Sequence, residues 1–209
     1  MMSLLKGINE NNEIPKVTEW DKMSLVMKYP SVSYNGSKYF GKNRSLSESD
    51  IGKFIDALYT TGYDEQNDVY HETEVSLYSI RGISVECAVA AKYESASRYY
   101  VYVNTEYNPK TLGEFIDDLN LQENLTFGSV YYYYYYGNGE HSTVEFVDLD
   151  GTVVWDMLFA DRDVRNIYAE GRDYDEDVSV TVNLSILGYD NNSLRITENG
   201  YVVTNILEK

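Results

Sequence analysis

The stretch Gly52-Lys-Phe-Ile-Asp-Ala-Leu58 returns sixty-one positions later as Gly113-Glu-Phe-Ile-Asp-Asp-Leu119. Each copy follows a polar segment with capping residues, Ser47 or Ser49 before the first and Pro109 and Thr111 before the second. Apolar residues fall at helical spacing in both: Ile51, Phe54, Ile55 and Leu58, then Leu112, Phe115, Ile116 and Leu119. Each copy precedes runs rich in Tyr, Val, Thr and Ser. The pattern predicts a short helix feeding strands, used twice, with a weaker third helix over residues 153–159. The repeat constrains architecture and carries no chemistry.

Strand signals surround these segments. Tyr34-Asn35-Gly36 reads as a hairpin turn. Strands are expected over 73–80, 85–93 and 99–104, with breaks at Arg81-Gly82 and at 94–97. A second hairpin is expected from 128–136 and 143–149, closed by Gly137-Asn138-Gly139. Further strands are expected at 178–187, 193–197 and 201–206. Hairpins are frequent and no strand–helix–strand alternation appears, so the class is α+β, with helices packed on one face of antiparallel sheets. Residues 1–30 form a peripheral N-terminal segment in which 18–21 caps a short helix through Met27. Residues 31–209 form one domain of two similar halves, about 31–107 and 108–209.

Composition excludes several function classes. The chain has 209 residues and a net charge of −17. Residues 1–104 hold 11 Lys and Arg against 14 Asp and Glu, whereas 105–209 hold 6 against 20. Nucleic acid is not a partner, because binding it requires cations that displace counterions from phosphates. No apolar stretch approaches a membrane span, so this segment does not insert directly. The lone Cys87 allows no intrachain disulfide, and its apolar neighbours make it a buried, inert thiol.

Several motifs invite catalytic readings and fail on chemistry. Asp148-Leu-Asp150-Gly151-Thr152 resembles the first motif of haloacid-dehalogenase-like phosphatases, but the only lysine after it is Lys209. Asp150-Gly151 is therefore read as a turn. Asp148, Asp150 and Asp156 do not fit a helix-loop-helix calcium loop. The acidic run Asp173, Asp175, Glu176 and Asp177 is read as a solvated loop, with calcium binding left open. His71 and His141, the only histidines, are expected in surface turns. No catalytic residue, metal ligand or cofactor is assigned.

The run Tyr131 to Tyr136 is the most unusual local feature. On a strand, Tyr131, Tyr133 and Tyr135 share one face and Tyr132, Tyr134 and Tyr136 the other. One face can pack inward while the other offers rings and hydroxyls to a protein, peptide or glycan. Tyr131, Tyr133 and Tyr135 are taken as the contact residues.

Tyr34-Asn-Gly-Ser-Lys-Tyr39, the segment Thr111 to Leu121, Trp155-Asp-Met-Leu158, Leu187-Gly-Tyr189 and Glu198-Asn-Gly-Tyr201 carry a family resemblance. They resemble the extracytoplasmic C-terminal region of membrane metallopeptidases related to the beta-lactam-sensing regulators, of clostridial type. The resemblance implies a non-enzymatic sensor or regulatory domain at the cell surface, tethered through a segment not in this chain. A cytoplasmic location is left open. The alternative is a secreted binding module for cell-wall glycan or peptide. Covalent beta-lactam capture is not supported. Ser3-Leu-Leu-Lys6 lies at the terminus, Tyr102-Val-Asn104 matches only by letters, and Lys110-Thr111 is followed by Leu112 where that chemistry needs glycine.

Overall fold

The computed structural model describes residues 18–136, 140–146, 151–160, 162–165, 176–197, 202–204 and 206–207. At 133–135, 141, 176, 177, 196, 197, 202 and 203 it describes the backbone alone. The fold is α+β and built on antiparallel sheets. The first sheet comprises β1 (Ser31–Tyr34), β2 (Ser37–Leu46), β3 (Ile51–Asp64), β4 (Val69–Ile80), β5 (Ala88–Tyr93) and β6 (Tyr99–Asn104), in the order β1-β2-β6-β5-β4-β3. The second comprises β7 (Thr126–Tyr135), β8 (His141–Phe146), β9 (Glu176–Leu184), β10 (Tyr189–Thr197) and β11 (Val202–Thr204), in the order β11-β10-β9-β7-β8. Four α-helices, α1 (Leu25–Lys28), α2 (Leu112–Asp118), α3 (Leu121–Asn124) and α4 (Gly151–Ala160), and 3-10 turns at Trp20–Lys22, Glu48–Asp50 and Ser185–Leu187 complete the described elements.

The structure overturns one copy of the repeated helix. Gly52–Leu58 lies inside the fourteen-residue strand β3, whereas Gly113–Leu119 forms α2 and its C-terminal cap. The polar residues before the first copy make only a single 3-10 turn, Glu48–Asp50, which ends at Ile51. From there the chain pairs with β4, in a register that shifts between Ile51 and Phe54 and again between Phe54 and Asp56. The short N-terminal helix is also divided, into a 3-10 turn at Trp20–Lys22 and α1, which Ser24 caps by accepting from the Met27 amide at 3.3 Å.

Other turns follow their residue chemistry. Asn35 and Gly36 both have positive φ, 48° and 81°, the type I′ geometry that matches strand twist. Between β3 and β4, the Asp64 carboxylate accepts from the amides of Gln66 and Asn67 and from Asn67 Nδ2, at 3.0, 3.4 and 2.8 Å. These bonds, that from the Asn67 side chain foremost, hold its pKa below the ordinary carboxylate value.

Strands β5 and β6 are covered on both faces. Ala88, Ala90, Val101 and Val103 face a core shared with Phe115, Ile116 and Leu119, with Val154 and Leu158 of α4, and with Val130, Val180, Val182 and Leu194 of the second sheet. Val89, Ala91, Tyr93 and Tyr102 face the opposite way, onto Tyr29, Val32, Tyr39, Val75 and Leu77. There Tyr93 donates to the Tyr102 hydroxyl at 2.5 Å, and Tyr102 donates to the Tyr29 carbonyl at 2.6 Å. Burial raises the pKa of both phenols, that of Tyr102 to about 12. The two edges of this sheet also meet, because the Thr60 hydroxyl of β3 donates to the Ser31 carbonyl of β1 at 2.8 Å.

Candidate functional site

The tyrosine run falls on β7 as far as Tyr135, with Tyr136 just past its end, and the strand lies between β8 and β9. Val130 is buried in the shared core, so strand alternation turns its neighbour Tyr131 to the other face. Tyr131 is half-buried and stands opposite Glu145 of β8 and Ser179 of β9. Tyr133 stands opposite Thr143 and Tyr135 opposite His141, but both tyrosine side chains lie outside the described residues. Further along the same outer face, the Ser179 and Ser193 hydroxyls hydrogen-bond at 2.7 Å.

A second aromatic face, fully described, lies on the β3–β4 hairpin. Residues 59–64 and 69–74 pair with each other, while β5 joins β4 only from Val75 onward. The hairpin therefore projects beyond the sheet as a two-stranded ribbon. Its inward residues are covered by the N-terminal segment. The His71 ring stacks on Trp20 at 4.5 Å, and a Cβ at Gly62 would lie 2.0 Å from the Lys28 carbonyl oxygen. Its outward residues alternate with these: Tyr59, Thr61 and Tyr63 on β3 stand opposite Glu74, Glu72 and Tyr70 on β4. Tyr59 and Tyr70 are 66% and 73% exposed, so these rings face solvent.

The same face continues down the sheet as a ladder of rings. Phe54, itself exposed, meets Tyr78 edge-on at 5.6 Å, and Tyr78 meets Tyr99 edge-on at 5.3 Å. Lys92 Nζ lies 4.5 Å from the centre of the Tyr99 ring. At the tip, Tyr63 and Tyr70 pack at 4.9 Å, and the Tyr63 hydroxyl donates to Asp68 at 2.7 Å. Tyr63 is thereby fixed, and Tyr70 rests on it. The arrangement offers fixed aromatic area flanked by the exposed carboxylates Glu72 and Glu74. The sequence does carry its signal, the alternation Tyr59-Thr-Thr-Gly-Tyr63 against Tyr70-His-Glu-Thr-Glu74, which a helical reading of the preceding residues obscures.

Two further chemistry-bearing side chains, Cys87 and Tyr107, are packed within the fold. Cys87 is buried, and burial pushes its thiol up to about 12, far from a reactive thiolate. The Tyr107 hydroxyl donates to Asp118 at 2.6 Å, and its pKa is likewise raised, first by burial. His71 and His141 lie on β4 and β8 rather than in turns. Tyr102 and Asn104 of the penicillin-binding look-alike are both buried on β6. Asp148, Asp150, Asp173 and Asp175 lie outside the described residues, and Glu176 and Asp177 begin β9. Among the described residues no three His, Cys, Asp or Glu side chains gather as a metal site. No described helix is long and apolar enough to cross a membrane.

Fold and surface together define an α+β protein of antiparallel sheets with an exposed aromatic ribbon. Comparison with protein-family models, with curated proteins and with solved structures finds no match to this chain.

Proposed function

We propose that the chain is a non-enzymatic binding domain, an extracytoplasmic sensor or interaction module whose contact surface is the outward face of the β3–β4 hairpin. The observation that carries this reading is the solvent-facing set Tyr59, Tyr63 and Tyr70 on a ribbon whose other side is held by Trp20 and Lys28. Rigid tyrosines supply contact area at low entropic cost. The strongly shifted groups, Cys87, Tyr93 and Tyr107, are all shifted away from their reactive forms, which supports binding over catalysis. The cell-surface location and the tether to a membrane peptidase rest on the family resemblance described above. A secreted module for cell-wall glycan or peptide is the second reading, favoured by the pairing of aromatic rings with carboxylates, which also suits sugars.

The test compares two surfaces and one location. Retention on an envelope fraction of the source cells is measured for Tyr59→Ser/Tyr70→Ser and for Tyr131→Ser/Tyr133→Ser. Loss in the first pair, with an unchanged circular dichroism spectrum, is the expected result. Loss only in the second moves the site to β7, and retention by both sinks a tyrosine surface. Protease treatment of intact cells should cleave the protein, and its recovery only from the cytosol would refute the location.

A further inference from the structure

We infer that the hairpin face takes an extended polypeptide segment bearing Lys or Arg at alternate positions. This rests on the reading of that face as a contact surface and names its partner. Glu72 and Glu74 are two residues apart on one strand and therefore point the same way, about 6.7 Å apart along the ribbon. Like charges so placed repel, and neither forms an ion pair among the described residues. Lys92, opposite Ser76 on the same face, is directed onto the Tyr99 ring and donates to its hydroxyl at 3.4 Å. Across the ribbon stand Tyr59, directly opposite Glu74, and the Tyr63–Tyr70 pair beyond Glu72.

A carboxylate row edged by aromatic faces is complementary to cations with apolar stems. The carboxylates receive the charge, and the rings receive the methylenes and the quadrupole contact. An extended segment repeats its side chains every second residue at the same spacing as the ribbon, so two successive cations meet Glu72 and Glu74 together. The chain's net charge of −17 steers such a partner toward it and repels acidic ones.

The probe is a decapeptide of alternating Thr and Lys, titrated into the full chain at low salt with fluorescence anisotropy as readout. The parent protein should bind it, and binding should weaken as salt is raised. Glu72→Gln/Glu74→Gln should lose about tenfold in affinity, and Tyr59→Ser/Tyr70→Ser a comparable factor. Asp156→Asn/Asp163→Asn, which removes the same charge outside the hairpin, should change binding by less than about twofold. Failure of the peptide to bind overturns the inference. So does an equal loss in the Asp156/Asp163 variant, which would mean attraction by net charge alone. If chitohexaose binds in a Tyr59- and Tyr70-dependent way and the peptide does not, the inference falls while the contact surface stands. Peptide binding that both hairpin variants leave unchanged overturns the two together.

Discussion

Gly52–Leu58 and Gly113–Leu119 differ at two positions, yet one is extended and the other helical. Intrinsic propensity does not decide between them. The strand copy carries Ala57, the best helix former, where the helical copy carries Asp118. The flanks decide. Ahead of the second copy, Thr111 accepts from the Glu114 amide at 3.1 Å while Glu114 reaches back to the Lys110 amide, so the first turn is capped from both sides. Behind it, Asn120 adopts left-handed geometry, with φ 43°, and stops the helix. The first copy has no such stop. It runs on into Tyr59-Thr-Thr-Gly-Tyr63, a strand-forming sequence whose partner β4 supplies a continuous ladder. Burial follows the same division: Phe115, Ile116 and Leu119 enter the shared core, while Phe54 is 57% exposed.

That contrast can be broken experimentally, and the largest effect should come from the last residue of each copy. Leu119→Ala empties a fully buried site and should cost about 3 kcal/mol, whereas half-buried Leu58→Ala should cost about 1 kcal/mol. Urea denaturation of both variants checks this, and equal costs would contradict the assigned burial. Gly62→Ala comes next, at about 2–3 kcal/mol, because the new Cβ meets backbone rather than a movable side chain. Removing the cap by Thr111→Ala should cost about 1 kcal/mol, read by the same denaturation curves, with β3 unaffected.

The smallest effect is a dependence on pH. Asp50 and Asp64, which bracket β3, both have pKa values lowered below 3.8 in the fold, chiefly by hydrogen bonds from Ser47 and Asn67 respectively. Their contribution is complete above the unfolded pKa and is lost as pH falls through the folded one. Thermal midpoints measured from pH 6 to pH 2 should therefore converge for wild type and Asp64→Asn at the acid end. A gap that widens on acidification would reverse the sign and refute the assignment.

Much of the fold was legible where local chemistry and tertiary demand agree. The strand expected at 99–104 is β6, the Asn35-Gly36 turn is type I′, and Thr111 caps a helix as its position implies. Gly151–Ala160 forms where the third helix was expected. Legibility failed at β3, where apolar spacing fits a helix and only pairing with β4 reveals a strand. The hairpin surface was hidden by that same error. His71 was misplaced because its environment is made by Trp20, some fifty residues away in sequence, which no local pattern reports. The strand carrying Tyr131, Tyr133 and Tyr135 was legible from its residue types, since β7 spans all three.

The separation of β5 and β6 from the projecting ribbon has an evolutionary consequence. Residues that hold the protein together point into two cores, whereas Tyr59, Tyr70, Glu72 and Glu74 belong to neither. Substitutions at such exposed positions change stability by about 0.5 kcal/mol or less. The ribbon can therefore explore new partners through single mutations without drawing on the stability of the scaffold, so that specificity and foldability are inherited as nearly independent traits.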